Sequence, residues 1–254
     1  MNSHQFLGAT PGEDGAWSFE LGRELHGAFG GAFGGVVAAA TVTTARPLAP
    51  GRTPVAFDIR FLRGLPAGTA TATPTLLHQG RTLSSVSVDL CQPDGRLAAR
   101  ATISFVAPEA LATVSREDER RVTAAYDEGR PWPPIGAPIV ETLAPRTIPW
   151  ENGEALVIRM PWEEESGVSA EAACIAADMA VGPPVAFGLA GERVGHPNPD
   201  LSLRFAGPVS GRDVVGVGRL ARVHAGLATV DIEVWSHGAL TAVGVSTSML
   251  LPLK

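Results

Sequence analysis

Two short stretches of the chain alternate strictly between apolar and polar residues. Val86-Ser-Val-Asp-Leu90 and Val230-Asp-Ile-Glu-Val234 place an apolar side chain at every second position, the pattern of a strand with one buried and one wet face. They start 144 positions apart. At the same offset Val55-Ala-Phe-Asp-Ile-Arg-Phe61 falls on Pro199-Asp-Leu-Ser-Leu-Arg-Phe205, and a Pro/Gly turn follows each, Pro66-Ala-Gly68 and Pro208-Val-Ser-Gly211. Each alternating strand then meets a turn, Gln92-Pro-Asp-Gly95 or Ser236-His-Gly238. The chain returns as Arg96-Leu-Ala-Ala or Ala239-Leu-Thr-Ala, the offset now 143. Glycine supplies the positive φ that a tight hairpin needs. The chain therefore reads as a tandem repeat whose halves both end in a long antiparallel hairpin.

One helix is predicted ahead of each strand set. Gly30 to Val42 is small and apolar on nearly every side, which suits a helix wrapped by a sheet. Its early glycines each lower intrinsic helicity by about 1 kcal/mol, so Gly30-Gly31 and Gly34-Gly35 imply close backbone approach. In the second half Ser169 to Ala180 reads as the counterpart, with Ser169 as N-cap and Gly182-Pro-Pro as the stop. From Pro108 to about Pro138 runs a connector containing the charged Ser115-Arg-Glu-Asp-Glu-Arg-Arg-Val and Pro131-Trp-Pro-Pro134. The expected organisation is a first repeat over 1–110, a linker over 111–138 and a second repeat over 139–254.

Composition narrows the chemistry. The 254 residues carry a net charge of −6 and no dense Lys/Arg cluster, against a dedicated nucleic-acid binder. Cys91 and Cys174 are far apart and form no CxxC or Cys/His spacing, which removes disulfide scaffolds and zinc ribbons and fits a reducing compartment. The longest apolar runs, Gly34 to Ala40 and Met249 to Leu251, are short of the ~18 residues that cross a bilayer, and Met1-Asn-Ser-His-Gln lacks the basic start of a signal peptide. A cytoplasmic protein without membrane contact is expected. The Glu163-Glu-Glu165 run reads as a solvated loop, and no metal or cofactor is assigned.

A helix wrapped by a long antiparallel sheet, present twice in one chain, is the α+β architecture known as the double hotdog. The first half has Gly34-Gly35 opening a small-residue helix, then Phe57-Asp-Ile-Arg-Phe-Leu62, Gln79-Gly-Arg-Thr-Leu-Ser-Ser85 and Asp94 to Phe105. In that order it resembles the N-terminal repeat of the type II acyl-CoA thioesterases. The second half, with Ala177-Asp178 in its helix, then Asp200 to Phe205 and Gly238 to Ala242, resembles their C-terminal repeat. The resemblance implies hydrolysis of an acyl-CoA thioester by a water held between an aspartate, a serine or threonine, and a glutamine of the second repeat, without an acyl-enzyme.

Carried over by position, the resemblance assigns Asp200 as the aspartate; the matching residue of the first repeat is Ala56. The glutamine position falls on Ser246, two bonds shorter, with Thr247 on the opposite strand face as the fallback. No hydroxyl occupies the serine or threonine position, where Arg222 and His224 are the chemically able residues; His224 beside Asp200 would make a different dyad. Gly80-Arg81 resembles a loop that meets CoA phosphates or a neighbouring carboxylate, and Gly34-Gly35 would line the pantetheine passage or only allow tight packing. Two other functions share these features. His26-Gly-Ala-Phe-Gly30 gives the opening of the double-hotdog hydratases and dehydratases, but Gly35 stands where their proline belongs; a binding module for acyl-CoA without turnover would explain the missing glutamine. The chain is expected as a monomer or a homodimer.

Overall fold

The computed structural model describes residues 1–114, 126–133, 135–151, 153–164, 170–207, 209 and 211–253. The charged stretch Ser115–Val122, Pro134, Glu165, the N-cap Ser169, Pro208 and Ser210 lie outside the described residues, as do the side chains of Glu163 and Glu164.

In chain order the first half contains α1 (Ser3–Phe6), β1 (Ala9–Pro11), β2 (Trp17–Leu21), α2 (Gly34–Ala45), β3 (Thr53–Phe61), β4 (Gly68–Gln79), β5 (Leu83–Cys91) and β6 (Leu97–Val106). Then come β7 (Arg130–Pro131), α3 (Pro138–Leu143), β8 (Arg146–Trp150), β9 (Gly153–Glu164), α4 (Ala170–Met179), α5 (Gly182–Gly188) and β10 (Val194–Gly195). The chain closes with β11 (Asp200–Phe205), β12 (Gly211–His224), β13 (Leu227–Ser236), β14 (Ala239–Met249) and β15 (Leu251–Pro252).

Thirteen strands form one antiparallel sheet. Outward from the join of β3 with β11 the order is β6, β5, β4, β2 on one side and β14, β13, β12, β9 on the other, so the repeat in the sequence is a repeat in space. At the join Asp200 faces Arg60 and Arg204 faces Ala56, each in antiparallel register. Phe57, Ile59, Leu201 and Leu203 alternate into the core there. Both hairpins form as read, with φ of 83° at Gly95 and 81° at Gly238. The fold is a double hotdog.

The two central helices lie under this sheet and against each other. Every residue of α2 after Gly34 is buried, and so is every residue of α4. Small side chains are what allow this: an alanine- and glycine-rich cylinder fits between a partner helix and a curved sheet where leucines would overfill the layer. Two helix boundaries differ from the sequence reading. Gly30 to Phe33 form a loop, with Gly30 at φ 78°, and α2 starts only at Gly34. Gly182-Pro-Pro does follow the end of α4, but it opens α5 rather than beginning a loop, because prolines in a first turn forfeit only N–H groups that have no helical acceptor. Residues 170–188 are thus an apolar stretch long enough by length and composition to cross a bilayer, and most of it is buried inside the fold.

Candidate active site

The two central helices run antiparallel, so each end of α2 meets a different end of α4. At one end stands Asp178, in the last turn of α4. It is a buried carboxylate, 5% exposed, in an otherwise apolar turn. Its Oδ2 accepts a hydrogen bond from the Gly35 N–H at 2.7 Å, and its Oδ1 accepts one from Asn198 Nδ2 at 2.7 Å. The contact with Gly35 explains the glycine pair. A Cβ on Gly34 would stand 2.8 Å from Asp178 Oδ2, and one on Gly35 would stand 2.7 Å from the Ile175 Cα. Any side chain would push the N-terminus of α2 off the carboxylate.

Behind Asn198 the network continues. Its Nδ2 lies 3.4 Å from both Ser246 Oγ and the Asp200 carbonyl, and Ser246 Oγ donates to that carbonyl at 2.7 Å. Burial pushes the Asp178 carboxyl up to about 6, and the two hydrogen bonds from Asn198 and Gly35 only partly oppose it. No cation pairs with it among the described residues. Asp178, Asn198 and Gly34 line a cavity of about 530 Å³ whose remaining wall is mostly apolar. Arg63, exposed, is the only lysine or arginine among the lining residues; its Nη1 donates to the Leu97 carbonyl at 2.7 Å. His196 also lines the cavity, and burial lowers its pKa, favouring the neutral imidazole.

The residues nominated from sequence divide into two groups. Gly34, Gly35 and Ser246 join one network, through Asp178 and Asn198. Asp200 stands beside it but faces differently: its Oδ1 accepts from the Thr247 N–H at 2.7 Å, tying the start of β11 to β14, and Asp200 is not among the residues lining the cavity. Thr247 contributes that backbone N–H. Ser246 is 1% exposed and reaches Asn198 rather than the cavity. Arg222 and His224 are exposed at the end of β12 and line no part of the cavity. Gly80 and Arg81 lie in the β4–β5 turn, where their carbonyls accept from Arg52 Nη2 at 2.7 and 3.3 Å, again apart from it.

The sequence reading gives neither Asp178 nor Asn198 a role in the site. A signal for the first exists in the sequence: Glu171 and Asp178 are the only charged residues of α4, and a charge in a helix with no polar face needs a purpose. Asn198 sits in His196-Pro-Asn-Pro199, which on sequence reads as a turn and no more.

Comparison with known proteins gives a family match for the first repeat and a fold for the whole chain. Residues 23–106 match the family model of the acyl-CoA thioesterase N-terminal domain. The whole chain superimposes on an acyl-CoA thioesterase II from Mycobacterium marinum with a TM-score of 0.78, covering 99% of each chain at 15% identity. It superimposes on the tesB protein of Mycobacterium avium subsp. paratuberculosis with a TM-score of 0.74, covering 98% of each at 18% identity. A hot dog fold protein of unknown function from Alicyclobacillus acidocaldarius gives 0.81, covering 99% of this chain and 98% of that one at 17% identity. No curated protein sequence matches. The first repeat is therefore of the acyl-CoA thioesterase type and the chain folds as that type does, which bears out the resemblance read from the sequence.

Proposed function

We propose that the protein hydrolyses an acyl-CoA thioester, with Asp178 as the base that activates water. The observation that carries this is the placement of one uncompensated, buried carboxylate against the N-terminus of α2 and on the wall of an apolar cavity. A water hydrogen-bonded to Asp178 gives it a proton as the oxygen attacks the thioester carbonyl. The negative charge moves to the carbonyl oxygen, for which the first N–H groups of α2 are the available donors. Gly35 already serves Asp178, while Gly34 lines the cavity and its N–H has no protein acceptor among the described residues. Collapse of the tetrahedral intermediate breaks the C–S bond, and Asp178 returns its proton to the departing thiolate.

On this reading the water site is formed by Asp178 and Asn198, with Ser246 behind them. Asn198 orients the carboxylate by donating to Oδ1, and Ser246 acts one step back, fixing Asn198. Asp200 becomes a structural partner whose carbonyl and carboxylate hold the loop and β14. Arg63, not Arg81, is the guanidinium offered to the phosphates of CoA. The repeats over 1–110 and 139–254 then share the site, the first supplying Gly34 and Gly35 and the second supplying the acid.

A thiol dye reads the reaction directly. The wild type should release CoA thiol from an acyl-CoA; Asp178→Asn should lose about 10²–10⁴-fold in kcat, the usual worth of a general base, and Asp200→Asn should keep most of it. Full activity in Asp178→Asn with loss in Asp200→Asn would return the role to Asp200. Binding of acyl-CoA without thiol release would make the protein a binding module, and water addition to an enoyl-CoA would make it a hydratase.

A further inference from the structure

A second cavity of about 410 Å³ lies between α5 and strands that include β9 and β12. Three residues, Trp132, Leu156 and Pro183, line both this cavity and the one that holds Asp178. They are the wall between two apolar spaces. Leu156 is buried in the core on β9, and Pro183 is fixed in the first turn of α5. Trp132 differs from both. It follows the two-residue strand β7 and is half-buried. Its backbone is held by its N–H donating to the Pro145 carbonyl at 2.9 Å, and its ring meets Phe187 edge-on at 6.0 Å. Phe187 is itself 63% exposed, so the indole is backed by a side chain with open space behind it.

We infer that Trp132 is the partition that sets the longest acyl chain the site accepts, by closing the acyl passage off from the second cavity. This rests on the thioesterase reading. The reacting carbonyl lies at Asp178, so the acyl chain extends along apolar wall, whereas the CoA side requires charge, and Arg63 is the cation on the first cavity's lining. None of the three shared residues carries charge, and Trp132 is the largest of them. A chain that outgrows the first cavity meets the indole, and removing the indole joins the two spaces. Because hydrophobic sites discriminate weakly per methylene but sharply against overfilling, a bulky stop residue is an effective ruler.

The test is the ratio of kcat/KM for palmitoyl-CoA over hexanoyl-CoA. Trp132→Ala should raise this ratio at least tenfold, through faster turnover of palmitoyl-CoA. Gly153 lines the second cavity, and a Cβ there would meet nothing within 4 Å. Adding Gly153→Phe to Trp132→Ala should therefore cancel the gain, while Gly153→Phe alone should change nothing. An unchanged ratio in a folded Trp132→Ala protein overturns the inference, as does an equal gain with Gly153→Phe present. Should Trp132→Ala not fold, Trp132→Leu gives the same comparison with less void. If the wild type hydrolyses no acyl-CoA, the thioesterase reading fails, yet the partition can still be read: calorimetric Kd values for hexadecyl-CoA and hexyl-CoA thioethers should shift by the same ratio, and their failure to do so overturns it.

Discussion

Each end of the central helix pair carries a carboxylate reaching from α4 to α2, and the two have opposite fates. At one end Glu171, its side chain 3% exposed, meets Arg46 in a two-pronged pair, Nε to Oε1 at 2.7 Å and Nη2 to Oε2 at 2.7 Å, with Thr43 Oγ1 donating to Oε1 at 3.3 Å. At the other end Asp178 has two neutral donors and a cavity. The difference teaches what separates a neutralised carboxylate from a basic one: a cation neutralises the first and closes its surroundings, while the second keeps a charge beside an opening that no cation among the described residues compensates. Such a charge costs stability and gives basicity.

The sharpest way to break this comparison is to neutralise the uncompensated end. Asp178→Asn removes a group whose folded pKa, about 6, lies above its unfolded value of 3.8. A raised carboxyl favours the native state fully only below the unfolded value, and that contribution is lost as pH rises through about 6. The variant, lacking the titration, should therefore gain on the wild type by up to about 3 kcal/mol as pH rises from 4 to 7.5, against a pH-independent cost because its amide has one acceptor oxygen where the carboxylate has two. Denaturant melts at pH 7.5 and pH 4 check it: the difference between variant and wild type should move in the variant's favour between the second and the first. A difference that stays the same at pH 4 and pH 7.5 would mean the charge is compensated after all.

The compensated end should respond in the opposite way. Arg46→Leu leaves Glu171 buried without its cation and should destabilise by about 2–3 kcal/mol, below the range for fully buried pairs because Arg46 is 30% exposed. At a temperature where the variant remains folded, kcat for acyl-CoA should be unchanged, since the pair is at the far end of the helices from Asp178. A large loss of kcat with intact fold would show that the two ends are not independent.

The smaller effects sharpen rather than break the contrast. Only the ionised Asp178 can take a proton, so kcat/KM should fall about tenfold per pH unit below about 6 and level off above it. A pH–rate profile with no inflection near 6 would remove Asp178 from the rate equation. Ser246→Ala, acting through Asn198, should cost only about three- to tenfold in kcat and leave KM alone, as expected for a lost second hydrogen bond of about 1 kcal/mol.

The fold was largely legible because its signals are local. A period of two at Val86–Leu90 and Val230–Val234, and turn glycines at Gly95 and Gly238, reflect the conformational needs of the residues themselves, and their recurrence at one offset exposed the duplication. The edges were less legible: Gly30 looks as helical as Gly34 by composition, and the start of α2 is set by the carboxylate it must approach. The site was half legible. Gly34, Gly35 and Ser246 were within reach of position and resemblance. Asp200 and Asp178 could not be ranked that way, because each is an acid on a plausible element and what distinguishes them, burial and partners, is not local.

The amino-acid order by itself determined which segments would be strands, that they would come as two equivalent sets, and that two small-residue helices would be enclosed by them, since each depends on side-chain period and size within a few residues. Which acid is the basic one was decided only in the tertiary structure. That property belongs to Asp178 through a glycine N–H 143 residues away, an asparagine on a loop and the absence of a cation nearby among the described residues. Desolvation and hydrogen bonding act across space, and no local run of residues carries them.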